Sequence, residues 1–322
     1  MPAIPLTTAN FRVAAVFVTM NRSATALTCL ERLAAQTRRP DEVHVIDNAS
    51  TDDTAEALSA FATSRSELDL KIRRLPENLG NAGGMEIGLS TAFAAGFDAV
   101  WILDDDSWPE PDALQNLMAP ALPAEAVRSS RVIDLETGNL SWPLQVRSGA
   151  GWRLVEGDDV LPDEPVMTIR RSWLGALIPR QVYETVGPVE GRLFLRGEDE
   201  DYPRRIERAG FPVFMICNSL LHHPPAGPLN RWHIFGREVV LERGLHGDKL
   251  YYRLRNSWWM ARREYGSTAA VADAILCFFA LACWQAPSPR WIPDWFQAFR
   301  DAHSERLGIR CKARTQLEPP KH

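Results

Sequence analysis

Apolar and polar positions along the first hundred residues alternate between two periods. Val13–Thr19 is an unbroken apolar run of strand type, and after it Leu27, Leu30, Leu33 and Ala34 fall on one helical face that Pro40 closes. Glu42–Asp47 predicts a second strand. Ser50 or Thr51 is placed to cap the helix that follows, with Asp52 and Asp53 suited to its positive end. Residues 70–75 predict a third strand, residues 85–97 a helix and residues 99–103 a fourth strand. Strands apolar throughout, alternating with helices, indicate an α/β fold with a mostly parallel sheet covered on both faces.

In such sheets ligands bind beyond the carboxyl ends of the strands. The polar residues collect there: Asn21 and Arg22 after the first strand, Asp47 and Asn48 after the second, Asn78 after the third, and Asp104, Asp105 and Asp106 after the fourth. The pattern is weaker from residue 107 to 168, with one hairpin expected around Gly138. It turns strand-like again from Trp173 through Ile178. The acidic run Glu198-Asp199-Glu200-Asp201 then opens a helix reaching Arg208, and a strand follows through Ile216 towards His222 and His223. Beyond Pro228 the pattern is mainly helical, which divides the chain into residues 1–227 and 228–322.

Three consecutive carboxylates at a buried strand's end repel one another unless a cation neutralises them. Clustered carboxylates suit a hard ion, Mg²⁺ or Mn²⁺, which keeps water and substrate phosphate in its shell. The alternative is a solvated acidic loop or a helix cap, since Pro109 can open a helix just beyond. His222 and His223 also follow a strand. One of them, with His222 favoured, is a candidate third ligand, and a nitrogen donor tilts the choice to Mn²⁺. Carboxylates at the start of the 198–208 helix either complement its dipole or supply a base that takes a proton from an attacking hydroxyl. Gly80, Gly83 and Gly84 imply a tight turn or close approach of backbone to a ligand. There is no P-loop, G-x-S-x-G or H-E-x-x-H motif.

Charge changes the picture at the C-terminus. The net charge of −5 gives no reason to expect nucleic acid as a partner. Residues 228–322 nevertheless carry 15 Lys and Arg against 9 Asp and Glu, the rest 21 against 32, so the two parts have separate jobs. Five scattered cysteines without a C-x-x-C pair argue against a disulfide framework or structural zinc, and so for a reducing, cytoplasmic setting. Residues 1–10 lack the pattern of a signal peptide. Residues 269–284, the most apolar stretch, are too short to cross a bilayer and predict a core helix or an interfacial contact.

Laid out in this way, the chain resembles the family 2 glycosyltransferases of GT-A fold over most of its length. Val16-Phe17-Val18-Thr19-Met20-Asn21-Arg22 looks like the family's first strand and nucleotide loop. Val45-Ile46-Asp47-Asn48-Ala49-Ser50-Thr51-Asp52 looks like its uracil-contacting segment. Asn78-Leu79-Gly80-Asn81-Ala82-Gly83-Gly84, Trp101-Ile102-Leu103-Asp104-Asp105-Asp106 and Gly197-Glu198-Asp199-Glu200-Asp201-Tyr202 are most similar to the bacterial galactofuranosyltransferases. Tyr251-Tyr252-Arg253-Leu254-Arg255-Asn256 is similar to a segment those enzymes share with rhamnosyltransferases.

The resemblance implies an inverting, metal-dependent transfer of galactofuranose from UDP-galactofuranose to a glycan or lipid-linked acceptor. It implies that Thr19, Arg22, Asp47, Asn78, Asp104 and Asp105 hold the nucleotide, and that Asp104, Asp106 and His222 hold the metal. Asp199 would be the base with Glu198 beside it, and Trp173 and Asp201 would line the acceptor or sugar pocket. Glu198 departs from the Asp often found there, and the doubled histidine leaves the ligand open. A dTDP-rhamnose donor is the alternative within the class. A sugar nucleotidyltransferase, which carries a glycine-rich loop after the first strand, and a non-catalytic scaffold are more distant. The C-terminal part, with Trp258, Trp259, Arg262, Arg263, Trp284 and Trp291, is either a helical lid or a peripheral contact with the inner face of the plasma membrane.

Overall fold

The structure, a computed structural model, describes residues 3–4, 6, 10–159, 161, 164–225, 227–234, 237–285 and 289–310. Strand β1 (Val13–Thr19) is central, flanked by β2 (Glu42–Asp47) and then β3 (Leu70–Arg74) on one side and by β4 (Ala99–Ile102) on the other, all parallel. Each residue of β1 is buried because both faces are covered. Val13, Ala15 and Phe17 pack with Leu30 and Leu33 of helix α1 (Ser23–Ala34) and Leu58 of α2 (Thr54–Ser64). Ala14, Val16 and Val18 pack with Met85 and Leu89 of α3 (Gly80–Ala94). The register aligns Thr19 with Asp47 and Asp47 with Arg74, setting a polar row along the carboxyl edge.

Beyond β4 the sheet becomes mixed. After helix α4 (Ala113–Met118) come β5 (Val127–Ile133), β6 (Leu140–Ser148), β7 (Gly151–Gly157), β8 (Val166–Ile169) and β9 (Ala176–Pro179). Helices α5 (Arg180–Val186) and α6 (Glu198–Arg208) then lead to β10 (Val213–His222). The order is β7-β6-β8-β10-β5-β9-β4-β1-β2-β3; with the two-residue strand Trp108–Pro109 against β10 the sheet has eleven strands. The expected turn at Gly138 is present, joining β5 to β6 through the Ile133–Leu140 pair, with Gly138 at φ +70°.

Two expectations are corrected. Helix α2 starts at Thr54, whose N–H donates to Asp52 Oδ1 (3.0 Å), not behind Ser50 or Thr51; the Ser50 hydroxyl accepts from Asn21 N–H instead. Helix α3 starts at Gly80, so Gly83 and Gly84 lie within its first turns. A Cβ on Gly84 would stand 2.7 Å from Val18 Cγ2, so close helix–strand packing is what requires a residue without a side chain here. The region after Pro228 opens with a hairpin, β11 (Leu229–Ile234) with β12 (Arg237–Glu242), before helices α7 (Gly247–Tyr265), α8 (Ser267–Ala280) and α9 (Ile292–His303). Trp258, Trp259, Trp291 and Trp295 are buried in a third core, which also takes in Ala82, Leu193 and Phe194. Those tryptophans do not face solvent, so the tryptophan-borne membrane contact is not what they build. The Trp284 side chain, Cys311 and much of residues 1–10 lie outside the described residues.

Candidate active site

The fourth strand delivers Leu103, buried, and then the three carboxylates into a tight turn in which Ser107 N–H donates to Asp104 O and the Ser107 hydroxyl accepts from Asp104 N–H. Asp105 points inward, accepting from the Thr19 hydroxyl (2.9 Å) and from Arg22 Nη1 (2.7 Å). Arg22 Nη2 donates to Asp106 Oδ2 (2.8 Å), so this guanidinium braces two of the three acids. Thr19 and Asp105 are therefore engaged with each other, and Arg22 with the acids.

His223 Nε2 stands 2.8 Å from Asp106 Oδ1 and 3.9 Å from Asp104 Oδ2. Its Nδ1 lies 2.6 Å from Pro224 O, and its ring lies against Trp142 at 4.4 Å between centroids. His222 is turned elsewhere, with Nε2 2.6 Å from Glu110 Oε1. This corrects the preference for His222: successive residues leaving a strand point to opposite faces, and the face of His223 is the one with the acids. One donor atom each from Asp104, Asp106 and His223 lies within 4.8 Å of the others. Opposite ligands of a small octahedral cation are about 4 Å apart, so a contraction of about an ångström would let these three share one ion. Two carboxylate oxygens and an imidazole nitrogen fit Mn²⁺ or Mg²⁺.

Electrostatics separates the three acids. Burial, then the Asp106 charge, with Asp199 adding to them, raise Asp104 to about 6 against the pull of His223 and Arg22. Burial raises Asp105 to about 7 although Arg22 and Thr19 oppose it. Burial also works against the ionised form of Asp106, but the hydrogen bond and charge of His223, aided by Arg22, hold its carboxyl well below the usual range. His223 is raised despite burial because Asp106 and Asp104 face it.

Asp199 opens onto the same space. Its side chain is exposed, and Asp104 is partly exposed, yet protein surrounds both closely enough that burial is the first cause of their raised pKa values. The Asp199 charge acts on Asp104, so the two carboxylates share one field. Gly197 N–H donates to Asp199 Oδ1 (3.0 Å). Glu198 is buried and accepts from Asn81 Nδ2 (2.9 Å) through Oε1, while its Oε2 meets no hydrogen-bond partner; burial and the Asp199 charge push it up to about 8.

At the carboxyl end of β2 Asp47 is fully buried. Its Oδ1 accepts from Ser50 N–H (2.9 Å), and its Oδ2 has no hydrogen bond, with Arg74 Nε 3.6 Å away. A buried acceptor that faces a cation at 3.6 Å without a hydrogen bond fits the N3–H of a pyrimidine. Asn78 Oδ1 accepts from Asn48 Nδ2 and Gly80 N–H, fixing the turn into α3. Asp201 forms an ion pair with Arg205 (2.9 Å), and Trp173 packs edge-on to Tyr202 at 5.8 Å; no contact joins either to the carboxylate cluster among the described residues. Sequence reasoning missed Trp142, Glu110 and Asn81. Asn81 lies inside a motif already singled out, whereas Trp142 sits in a hairpin arm whose half-exposed strands carry no clear period.

A family model described as Glycosyl transferase family 2 matches residues 15–174. The galactofuranosyltransferase GlfT1 of Mycobacterium tuberculosis is 33% identical over 310 residues, covering 92% of this chain and 97% of that protein. The chain belongs to glycosyl transferase family 2. It is therefore a glycosyltransferase. Among solved structures, GalNAc-T7 with UDP, GalNAc and Mn²⁺ superposes with a TM-score of 0.57 at 16% identity, covering 91% of this chain and 55% of that one. S. aureus TarS 1–349 in complex with UDP-GlcNAc gives 0.55 at 14% identity, covering 92% and 82%. These likenesses are of fold, and the fold is GT-A. Glu198, Asp199 and His223 lie beyond the segment matched by the family model.

Proposed function

We propose that this family 2 enzyme transfers galactofuranose from UDP-galactofuranose to a hydroxyl of a glycan or lipid-linked acceptor, inverting the anomeric centre. The observation that carries the reading is the three-donor cluster of Asp104, Asp106 and His223, with the charge of Asp199 acting on Asp104. The likeness to GlfT1 supports the sugar. Asp47 and Asn78 would hold the uracil side of the donor, with Thr19, Arg22 and Asp105 setting the acid turn that receives its diphosphate. The acceptor hydroxyl oxygen bonds to the anomeric carbon while the bond from that carbon to the diphosphate breaks, its electrons leaving with UDP. The hydroxyl proton passes to Asp199, whose raised pKa makes it a stronger base. Asp104, Asp106 and His223 would hold Mn²⁺ or Mg²⁺, which would supply positive charge to offset the negative charge developing on the departing diphosphate. Residues 1–227 would carry this chemistry, with 228–322 supporting it and meeting the acceptor's membrane.

A panel of nucleotide sugars screened for thermal stabilisation with Mn²⁺ tests the donor, because a ligand stabilises the fold it binds. UDP-galactofuranose should stabilise most; a larger effect of dTDP-rhamnose would reassign the sugar. Transfer should disappear in EDTA, and full activity there would refute the metal. His223→Ala should lose Mn²⁺-dependent UDP binding while His222→Ala keeps it.

A further inference from the structure

Helix α7 contains the segment Tyr251-Tyr252-Arg253-Leu254-Arg255-Asn256, to which nothing above gives a role. Arg255 and Asn256 are buried, at 0% and 1% exposure, on a helix whose polar residues have no need to be there. Their hydrogen bonds converge on one loop. Asn256 Nδ2 donates to the carbonyls of Leu193 and Leu195 (3.1 Å each) and to that of Arg196. Arg255 Nη2 donates to Leu193 O (2.8 Å) and Nη1 to Gly308 O (2.6 Å), while its Nε donates to Asn256 Oδ1 (2.8 Å). That last bond fixes which end of the amide faces the loop.

The loop is one that needs holding. Phe194 and Arg196 sit at φ +65° and Gly197 at φ +107°, a sequence of left-handed residues that persists only where the surroundings over-determine it. Gly197 is packed against Asn256, since a Cβ there would lie 3.1 Å from Asn256 Cβ. From the other side Ala82 N–H of α3 donates to Phe194 O (3.1 Å). The loop ends at Gly197, whose N–H is the one that holds Asp199 Oδ1, and α6 begins at the next residue.

We propose that Asn256, oriented by Arg255, is a positioning residue for the base: it fixes the loop 193–197 and through Gly197 N–H sets the place of Asp199. This rests on Asp199 being the base. The charges around Asp199 are Glu198 and Glu200 on its own helix, Arg196 from the loop, Arg253 from α7 and Asp104. Asn256→Ala removes none of these charges but releases the backbone that carries Arg196 and Gly197, so its effect on the base is conveyed by the Gly197 N–H bond and by the placement of Arg196, both of which lower the Asp199 pKa.

The test measures transfer by Asn256→Ala, Asp199→Asn and the double variant in the full chain, with calorimetric UDP binding in the presence of Mn²⁺. Asn256→Ala should lower kcat by on the order of 10- to 100-fold, the scale of a misplaced reacting group, with UDP binding unchanged. The acid limb of its rate profile should move to higher pH. The double variant should be no slower than Asp199→Asn alone, because the two act as one unit. Should Asn256→Ala not fold, Asn256→Ser, which keeps one donor, takes its place with the same expectations. An unchanged kcat, an unmoved limb, or losses that multiply in the double variant would overturn the proposal. Wild-type transfer by Asp199→Asn alone would instead overturn the assignment of the base, and is read separately.

Discussion

Asp104, Asp105 and Asp106 are neighbours in sequence, but burial, Arg22 and His223 give them three different proton affinities. Asp104 is raised to about 6 and Asp105 to about 7 from an ordinary 3.8. A carboxyl whose folded pKa exceeds its unfolded value makes the native state bind more protons, so stability is fully present below about 4 and is lost as pH rises through 6 to 7. The metal-free protein should therefore lose stability across that interval, with Asp106, depressed by His223, contributing in the opposite sense only at lower pH. A cation must displace the proton of Asp104 and that of His223, which is raised too. Mn²⁺ binding should thus release protons, seen as an enthalpy that varies with buffer ionisation, and should strengthen between pH 5 and 7.5. Binding independent of pH over that range would show that these residues are not the ligands. At the other wall, Asp199→Asn keeps shape and removes the proton acceptor, so transfer should fall by roughly 10²–10⁴-fold with UDP affinity little changed. Glu198, pushed up to about 8, is protonated near neutrality, so Glu198→Gln imitates its native form and should cost far less. A dead Glu198→Gln beside an active Asp199→Asn would move the base by one residue.

The elements that the sequence pattern predicts well are those buried on both sides. Strands β1 and β4 are apolar at nearly every position because helices cover both faces, and that leaves an unmistakable run. Strands β6 and β7 have partly exposed faces and mixed residues, so their period-two signal is faint and Trp142 went unnoticed with them. Helix α3 was misplaced at its start for a different reason. Glycine is the poorest helix former after proline, so Gly80, Gly83 and Gly84 read as a loop. Tertiary packing overrides that preference, because α3 presses against β1 where there is no room for side chains. Gly88 shows the strength of the effect: a Cβ there would meet Val16 Cγ1 at 2.4 Å and Ile46 Cγ1 at 3.3 Å. Gly88→Ala gains about 1 kcal/mol of helix propensity but overpacks a closed interface, which costs about 1–3 kcal/mol. Chemical denaturation should show net destabilisation, partly relieved when Val16→Ala is added. A stabilised Gly88→Ala would mean that the helix can retreat from the strand.

Across the whole molecule, the C-terminal helices and the catalytic sheet are joined by one core, in which Ala82 of α3 and the loop residues Leu193 and Phe194 pack with Tyr252 and Trp258 of α7. This packing answers part of the question posed by the basic, tryptophan-rich C-terminus. Trp258, Trp259, Trp291 and Trp295 pack the helices into that core, and the large apolar side chains exposed among the described residues of this part are Tyr265 at the end of α7, Ile275 and Phe279, one turn apart on α8 and each 48% exposed, and Phe296 of α9 at 59%. Phe278 and Trp295, the neighbours of Phe279 and Phe296, are in ring contact at 5.3 Å, so the two helices bring these positions into one region. No described helix is long and apolar enough to cross a membrane. Partial insertion of three such side chains would contribute a few kcal/mol, since full burial of each is worth about 1.5–3 kcal/mol. Arg290 and Arg300, both exposed, would add about 1 kcal/mol each near anionic lipid. A sum of that size gives reversible attachment that depends on charge. The protein should accordingly float with vesicles rich in anionic lipid at low salt, detach as salt is raised, and ignore neutral vesicles. Phe279→Ser with Phe296→Ser should abolish flotation while UDP binding, proposed for the carboxyl edge of the sheet, stays intact. Flotation that survives both substitutions would place the contact elsewhere, and none at low salt would leave α7, α8 and α9 with the single role of bracing the loop that leads to Asp199.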